Sequence, residues 1–493
     1  MARQRLLVRN TSILAPLEPG FRPVSLGDRA FQRAASNGVP VNIAYERENS
    51  LVTREAVKVL PLADPRSAEN LEFILDKVTS GVVHNGAHTV WFNGPQYLGK
   101  KLQEEFSLGG SRKWVVDDLS STSYSQPFEV RIVCSKDMPA KNEATASLGG
   151  GLIGRRIGFD LGASDYKVAA FVGKECVFCE EFPWTPKGYK DPMKHYEALM
   201  VGLLEAYDKL GGKVDAIGGS SAGVWVNNWL RIGSIAKGIV EGKKGAEKSE
   251  AMDHFNRCLV DKIAEHFGVK PIIINDGNVA ALAGHFFIPG AAGIVGIAMG
   301  SDEAGGYAYP EGRMDTKLYE WAFRRIDRSE TAPVEEWSGL QGVGGMYFGQ
   351  RAWNRLYPLA GIFDDEVGGA DAPIPDKLVK LQELVDNGDG RALLIPHTIG
   401  VELGHAIPQY INDCGPTSHV LVVGRCMRGR SGDIILDRAD EVLRTEFKSM
   451  YNFQLFNPDS EAFIQHVGTE TAERFKTLGQ AMAAASLPPA DYK

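Results

Sequence analysis

A short apolar stretch runs directly into an acid at Arg156-Ile157-Gly158-Phe159-Asp160-Leu161-Gly162-Ala163-Ser164, and a second does the same at Pro271-Ile272-Ile273-Ile274-Asn275-Asp276-Gly277-Asn278. Each reads as a buried strand that delivers a carboxylate at its end. After Asp160 come Gly162, Ala163 and Ser164, whose side chains are too small to keep backbone N–H groups away from a phosphate oxygen. After Asp276 comes the helical run Val279-Ala280-Ala281-Leu282-Ala283. One such acid suits a hydrated Mg²⁺, a hard cation that takes carboxylate and phosphate oxygen. The other suits acceptance of a proton from an attacking hydroxyl, a role worth about 10²–10⁴-fold in rate. The pair therefore points to phosphoryl transfer. The plain alternatives are a hairpin-turn acid for Asp160 and a helix N-cap for Asp276.

The elements that must position these acids follow from patterning. The strand ending at Asp160 continues by tight turns into Tyr166–Val172 and Glu175–Phe182, an antiparallel start. A helix over Pro192–Leu210 leads to a strand over Val214–Gly218 and a turn of small residues ending at Gly223. A second block opens on the buried strand Ala292–Gly300, which enters the glycine-rich turn Ser301-Asp302-Glu303-Ala304-Gly305-Gly306. It continues with a helix over Thr398–Ile411, a strand over Ser418–Gly424, a helix over Gly432–Phe447 and a closing helix over Thr469–Ala485. Two α/β blocks of this kind predict two lobes with a cleft between them. Ahead of them, Ala56–Leu62, His88–Asn93, Lys113–Val116 and Phe128–Cys134 read as strands, with helices over Ser67–Val83 and Pro95–Phe106. The expected division is an N-terminal α/β domain of unassigned role over 1–138, a glycine-rich linker over 139–151, a first lobe over 152–290 and a second over 291–493.

Bulk properties narrow the function classes. With 493 residues, 44% apolar and 24% charged, the chain is long enough for two or three globular cores. A net charge of −8 argues against a nucleic-acid surface, which needs a clustered basic face. No window approaches the roughly 18 apolar residues of a membrane helix, and Met1–Arg5 has no apolar signal core, so a cytoplasmic protein is expected. The six cysteines are scattered, as reduced thiols are, and Cys176 and Cys179 form a lone CxxC inside a strand pattern that reads as packing.

Taken in order, these motifs resemble the sugar-kinase branch of the actin, heat-shock ATPase and hexokinase superfamily, and most closely the ROK family (repressors, open reading frames, kinases). The resemblance covers about Arg156 to Ala485. It implies a two-lobed ribonuclease H-like fold, here with the extra N-terminal α/β domain. The Asp160 segment is similar to the family's first phosphate loop, Asn275-Asp276-Gly277-Asn278 to its catalytic-aspartate motif and Gly300-Ser301 to its second phosphate loop. Val420–Gly424, with Arg425 following, is similar to its adenosine segment. The implied ligands are ATP, Mg²⁺ held through water by Asp160, and a small sugar or polyol, and a homodimer is expected on the same basis. By position, Asn275, Glu320 and one of Asn227 and Asn228 match sugar-binding residues. Phe323 stands where the family has a histidine, Glu336–Val343 replaces its zinc cysteines, and Gly345 replaces a second sugar-binding glutamate. No structural zinc is therefore expected, and two polar contacts to the sugar are missing. Trp321, Phe323, Trp337 and Tyr347 are candidates for an aromatic wall or for ordinary core. Arg425, a long planar cation, would stack on the base, contact a phosphate, or block ATP. The resemblance also carries a second possibility, a catalytically inactive sugar-binding regulator on the same fold.

Overall fold

The computed structural model describes residues 5–144, 151–162 and 165–488. Ala163 and Ser164, two of the expected phosphate-loop residues, lie outside the described residues.

Three sheets organise the chain. The N-terminal sheet is built from β1 (Val39–Glu46), β2 (Val52–Val59), β3 (Thr89–Asn93) and β4 (Glu129–Ile132), in the order β2-β1-β3-β4. Helices α1 (Val24–Ala34) and α2 (Glu69–Asn85) belong to this region. The first lobe contains β5 (Arg155–Leu161), β6 (Asp165–Val172), β7 (Glu175–Pro183) and β8 (Ala216–Ser221). A small hairpin, β9 (Val224–Val226) and β10 (Trp229–Ile232), precedes β11 (Ile272–Asn275), giving the sheet order β11-β8-β5-β6-β7. Strands β5, β6 and β7 are antiparallel, whereas β8 and β11 run parallel to β5. The second lobe repeats the scheme with β12 (Ile294–Met299), β13 (Glu303–Ala308), β14 (His419–Val423) and β15 (Gln454–Phe456), ordered β13-β12-β14-β15. Again an antiparallel hairpin is followed by two parallel strands.

Two helices lie between the lobes: α3 (Asp276–Phe287), which follows β11 directly, and the closing α6 (Thr469–Ala485). The second lobe contributes α4 (Gly390–Asp413) and α5 (Gly429–Glu446). Small residues set how closely the two interlobe helices approach. On β8, a Cβ at Gly218 would fall 1.8 Å from the Ala484 carbonyl oxygen, so α6 rests on bare backbone. At the start of α3, a Cβ at Gly277 would fall 2.3 Å from the Gly305 carbonyl, which fixes α3 against β13 of the other lobe. The apolar residues of α3 and α6 meet in one shared cluster.

The N-terminal region does not keep a core to itself. Phe31, Phe73 and Val82 belong to the same apolar cluster as Trp321, Tyr347 and Tyr410 of the second lobe. The first lobe has its own cluster around Phe159, Leu203 and Ile273. Lys113–Val116, expected as a strand, is helical and runs into a π-type turn over Val115–Ser121. Its buried positions, Val115, Val116, Leu119 and Ser120, recur with helical spacing that a four-residue apolar run is too short to reveal. No helix among the described residues is long and apolar enough to cross a membrane.

Candidate active site

Strands β5, β8 and β11 are parallel neighbours, and Leu161, Ser221 and Asn275 align across them, so their carboxyl ends form one edge. Asp160 is in register with Ser220, which places both side chains on the same face of the sheet. Burial pushes the Asp160 carboxyl up to about 6; the Ser220 hydroxyl opposes the shift and the charge of Asp276 adds to it. Asp276 is also raised to about 6, by burial, with the Gly277 N–H acting against it. The two expected acids therefore stand at one edge of the sheet, and the charge of Asp276 reaches Asp160.

The helix-cap alternative for Asp276 is answered by its neighbour. Asn275 is the N-cap of α3, its Oδ1 accepting from Gly277 N at 2.8 Å, while Asp276 begins the helix proper and receives the same N–H at 3.0 Å. Asn275 Nδ2 donates to the Gly223 carbonyl at 3.0 Å. Both ends of the Asn275 amide thus hold the backbone that aims Asp276.

The second lobe adds carboxylates on the opposite side. Glu320 is pushed up to about 8, first by burial and then by the charges of Asp276 and Asp302. Asp302 is raised by burial to about 6, and its Oδ2 lies 3.3 Å from Arg351 Nη1. A Cβ at Gly345 would come within 2.5 Å of Asp302 Oδ1. The space that a glutamate at 345 would take is therefore filled by a carboxylate from the glycine-rich turn. Asp302 is the carboxylate beside Gly345 that motif reading did not single out. Its signal was present, as two consecutive acids inside a turn otherwise made of small residues.

The remaining expected residues are distributed as follows. Gly162 donates its N–H to the Asp165 carbonyl at 2.9 Å, and its own carbonyl accepts from Trp184 Nε1 at 3.0 Å. In the second loop, Gly300 N–H bonds the Asp302 carbonyl at 3.0 Å and Glu303 N–H bonds Asp302 Oδ1 at 2.9 Å. This leaves the Ser301 and Asp302 N–H groups at the turn tip without a bond among the described residues. Gly424, at φ +109, lets the end of β14 approach Met299. Arg425 reaches across to the first lobe, its Nη2 3.1 Å from Asp165 Oδ2 in the strand after the first phosphate loop.

Asn227 and Asn228 both have left-handed backbone, as the two central residues of the β9–β10 hairpin turn. The Asn228 amide clamps β11, donating to the Pro271 carbonyl and accepting from Ile273 N, each at 2.8 Å. Asn227 is exposed on the turn. The four candidate wall aromatics separate. Trp321 stacks on Tyr410 at 4.2 Å and Tyr347 donates to Asp327 at 2.7 Å, both in the core. Phe323 and Trp337 join Trp114 of the N-terminal region, at 4.2 Å and 5.0 Å from its ring.

The donor set fits a phosphate-bound magnesium at the Asp160 edge. Asp160 is a desolvated carboxylate at a strand terminus, a group that gains from a cation, and small residues flank it. Among the described residues no three His, Cys, Asp or Glu side chains converge as direct metal ligands.

The duplicated hairpin-plus-parallel order decides the fold. This chain folds as two α/β lobes of ribonuclease H-like strand order. Solved structures similar to it include a ROK hexokinase from Thermus thermophilus, at 18% identity and TM-score 0.46 over 67% of this chain and 97% of that one. They also include a ROK family glucokinase from Streptomyces griseus in complex with glucose and AMPPNP, at 17% identity and TM-score 0.48 over 67% and 99% of the two chains. A third is a ROK family transcriptional regulator, a homolog of the E. coli MLC protein, at 15% identity and TM-score 0.46 over 71% and 83%. No family model and no curated protein matches the sequence.

Proposed function

We propose that the protein is an ATP- and Mg²⁺-dependent kinase that phosphorylates a hydroxyl of a sugar or sugar-like polyol. The reading rests on the placement of Asp160 and Asp276 at the carboxyl-terminal edge of one parallel set of strands, near enough for the charge of Asp276 to raise the pKa of Asp160 and of Glu320. Magnesium–ATP, when bound, supplies the electrophilic γ-phosphoryl group. Asp276 accepts the proton of the acceptor hydroxyl as its oxygen attacks, and the resulting carboxylic acid later returns that proton to water. Asp160 orients the hydrated cation. Ser301 and its neighbours in the second loop offer backbone N–H groups to phosphate, and Gly424 and Arg425 flank the nucleotide. Glu320 and Asp302 accept hydrogen bonds from substrate hydroxyls, with Asp302 standing in for the acid absent at Gly345. Glucose is a poor fit to this altered set, because a site built around different acceptors discriminates strongly among hydroxyl patterns.

A coupled ADP-release assay across sugars, amino sugars and polyols tests the reading, with ADP formation expected for at least one acceptor. The competing regulator reading is favoured by the Arg425–Asp165 ion pair, which spans the lobes beside the first phosphate loop. Saturable sugar binding by calorimetry, with silence across all nucleotide donors, would establish it instead.

The raised pKa of Asp276 sets a pH limb. Its base form is lost as pH falls through about 6, so kcat/KM is expected to drop there, by about tenfold per pH unit on the acid side. A pH–rate profile flat from 5 to 8 would exclude Asp276 as the base.

A further inference from the structure

Helix α2 of the N-terminal region ends against the segment that carries Glu320. A helix leaves its last four carbonyls without partners inside it, and in α2 each one is bonded. Val82 accepts from the Gly86 N–H at 2.8 Å, and Asn85 accepts from Arg47 Nη1 at 3.1 Å. The middle two accept from the second lobe: Val83 from the Glu320 N–H at 3.0 Å and His84 from the Tyr319 N–H at 2.9 Å. The backbone that carries Glu320 thus closes the end of a helix from the other region of the chain.

That backbone is bent at the contact. Tyr319 has left-handed backbone, φ +53, and among the described residues it is the only aromatic that does. A residue with a Cβ is disfavoured there, and the conformation persists where its surroundings over-determine it. The Tyr319 hydroxyl donates to the Asp315 carboxylate, lying 3.0 and 3.1 Å from its two oxygens. Its ring meets His84 edge-on at 4.9 Å, and Trp321 Nε1 donates to His84 Nδ1 at 3.0 Å. Glu320 follows at φ −76 and ψ 61, with the Trp321 N–H bonded to the Tyr319 carbonyl at 2.8 Å, an inverse γ-turn. Glu320 therefore stands at the apex of a turn fixed on both sides, where the charges of Asp276 and Asp302 reach it.

We propose that the carboxyl end of α2 is the platform that aims Glu320 at the acceptor, with Tyr319 as the positioning residue and His84 as its support. The N-terminal region then has a part in acceptor recognition. That Glu320 binds the acceptor rests on the kinase reading. That α2 and Tyr319 fix its carboxylate does not, and the two are tested separately.

Carbon-13 labelling of the glutamate carboxyls, with the Glu320 signal identified by its loss in Glu320→Gln, follows this group without any substrate. Its midpoint in the parent is expected near pH 8. Tyr319→Gly frees the turn, so the carboxylate should reach water and titrate toward the ordinary glutamate value of about 4.3. Tyr319→Phe, which keeps the ring against His84, should titrate as the parent does. In the ADP-release assay, Tyr319→Gly should raise KM for the acceptor about tenfold, with kcat and KM for ATP nearly unchanged. Should Tyr319→Gly not fold, amide exchange in the parent decides, the Tyr319 and Glu320 amides being expected to exchange as slowly as the last turn of α2. An unmoved midpoint in Tyr319→Gly, or free exchange of those two amides, overturns the proposal. So does an acceptor KM that Glu320→Gln raises and Tyr319→Gly does not. A KM indifferent to both substitutions instead removes Glu320 from the acceptor site and counts against the kinase reading.

Discussion

Replacing Asp276 by asparagine is expected to lower turnover by about 10²–10⁴-fold while leaving sugar and nucleotide affinity nearly unchanged. The substitution is close to isosteric, and the local frame does not depend on the carboxylate. Asn275, not Asp276, caps α3, and the Gly277 N–H keeps its 2.8 Å bond to Asn275 Oδ1 when the acid becomes an amide. Removing the charge also relieves its neighbours, since Asp276 raises the pKa of both Asp160 and Glu320. The variant should therefore fold at least as stably as the parent, which separates a chemical defect from a structural one. Steady-state kinetics beside calorimetric titration of both substrates checks this. Turnover within tenfold of the parent would remove Asp276 from the chemistry, and a parallel loss of affinity would show that its role is in binding.

What could be read from the sequence was local. A buried apolar run ending in an acid announces itself within nine residues, and so the placement of Asp160 and Asp276 at strand ends was legible in the sequence. The closing helix was placed at Thr469–Ala485 and is found there, because its apolar spacing is regular and Gly468 breaks the chain before it. Side-chain direction was not legible. Asn228 and Asn275 look like substrate ligands by position, yet their amides bond the backbone of β11 and Gly223. Asp302 reads as part of a phosphate loop, yet its carboxylate turns toward a gap left by Gly345, forty-odd positions along the chain. The helix expected to begin at Thr398 begins at Gly390, and Pro396 and Pro408 both lie inside it. Proline removes a hydrogen bond from a helix interior, but Gly400 and Gly404 bring α4 against α5 at backbone distance, a Cβ on Gly400 falling 2.6 Å from the Ile435 carbonyl. That tertiary packing outweighs the local preference. Least visible of all was the joining of the N-terminal region to the second lobe, since its contacts link residues some 250 positions apart.

That junction carries the second large effect. Arg328 of the second lobe has a fully buried side chain whose carboxylate partners all come from the N-terminal region: Asp28 at 2.7 Å, Asp76 at 3.0 Å and Glu72 at 4.0 Å. Asp76 is itself buried, a condition that would raise its pKa, but the guanidinium groups of Arg328, Arg325 and Arg112 hold it below the usual carboxylate range. Trp321 donates to His84 Nδ1 at 3.0 Å, and Trp114 stacks against Phe323. A chain beginning at residue 139 would therefore strip Arg328 of its carboxylate partners and open one side of the Trp321 core to water. We expect that fragment to be insoluble or to lack a cooperative transition, whereas the full chain unfolds cooperatively. Within the full chain, Asp76→Ala removes one partner and leaves the other charges buried, for an expected loss of roughly 3–5 kcal/mol, measured by urea denaturation. The sign with pH follows from the lowered value: the contribution of Asp76 is present above the unfolded aspartate value of about 3.9 and is lost as pH falls below it. In Asp76→Ala that acid-induced part of the unfolding should shrink. A soluble 139–493 fragment with a sharp transition near that of the whole chain would mean that the two regions are independent bodies, and that the shared core contributes nothing to stability.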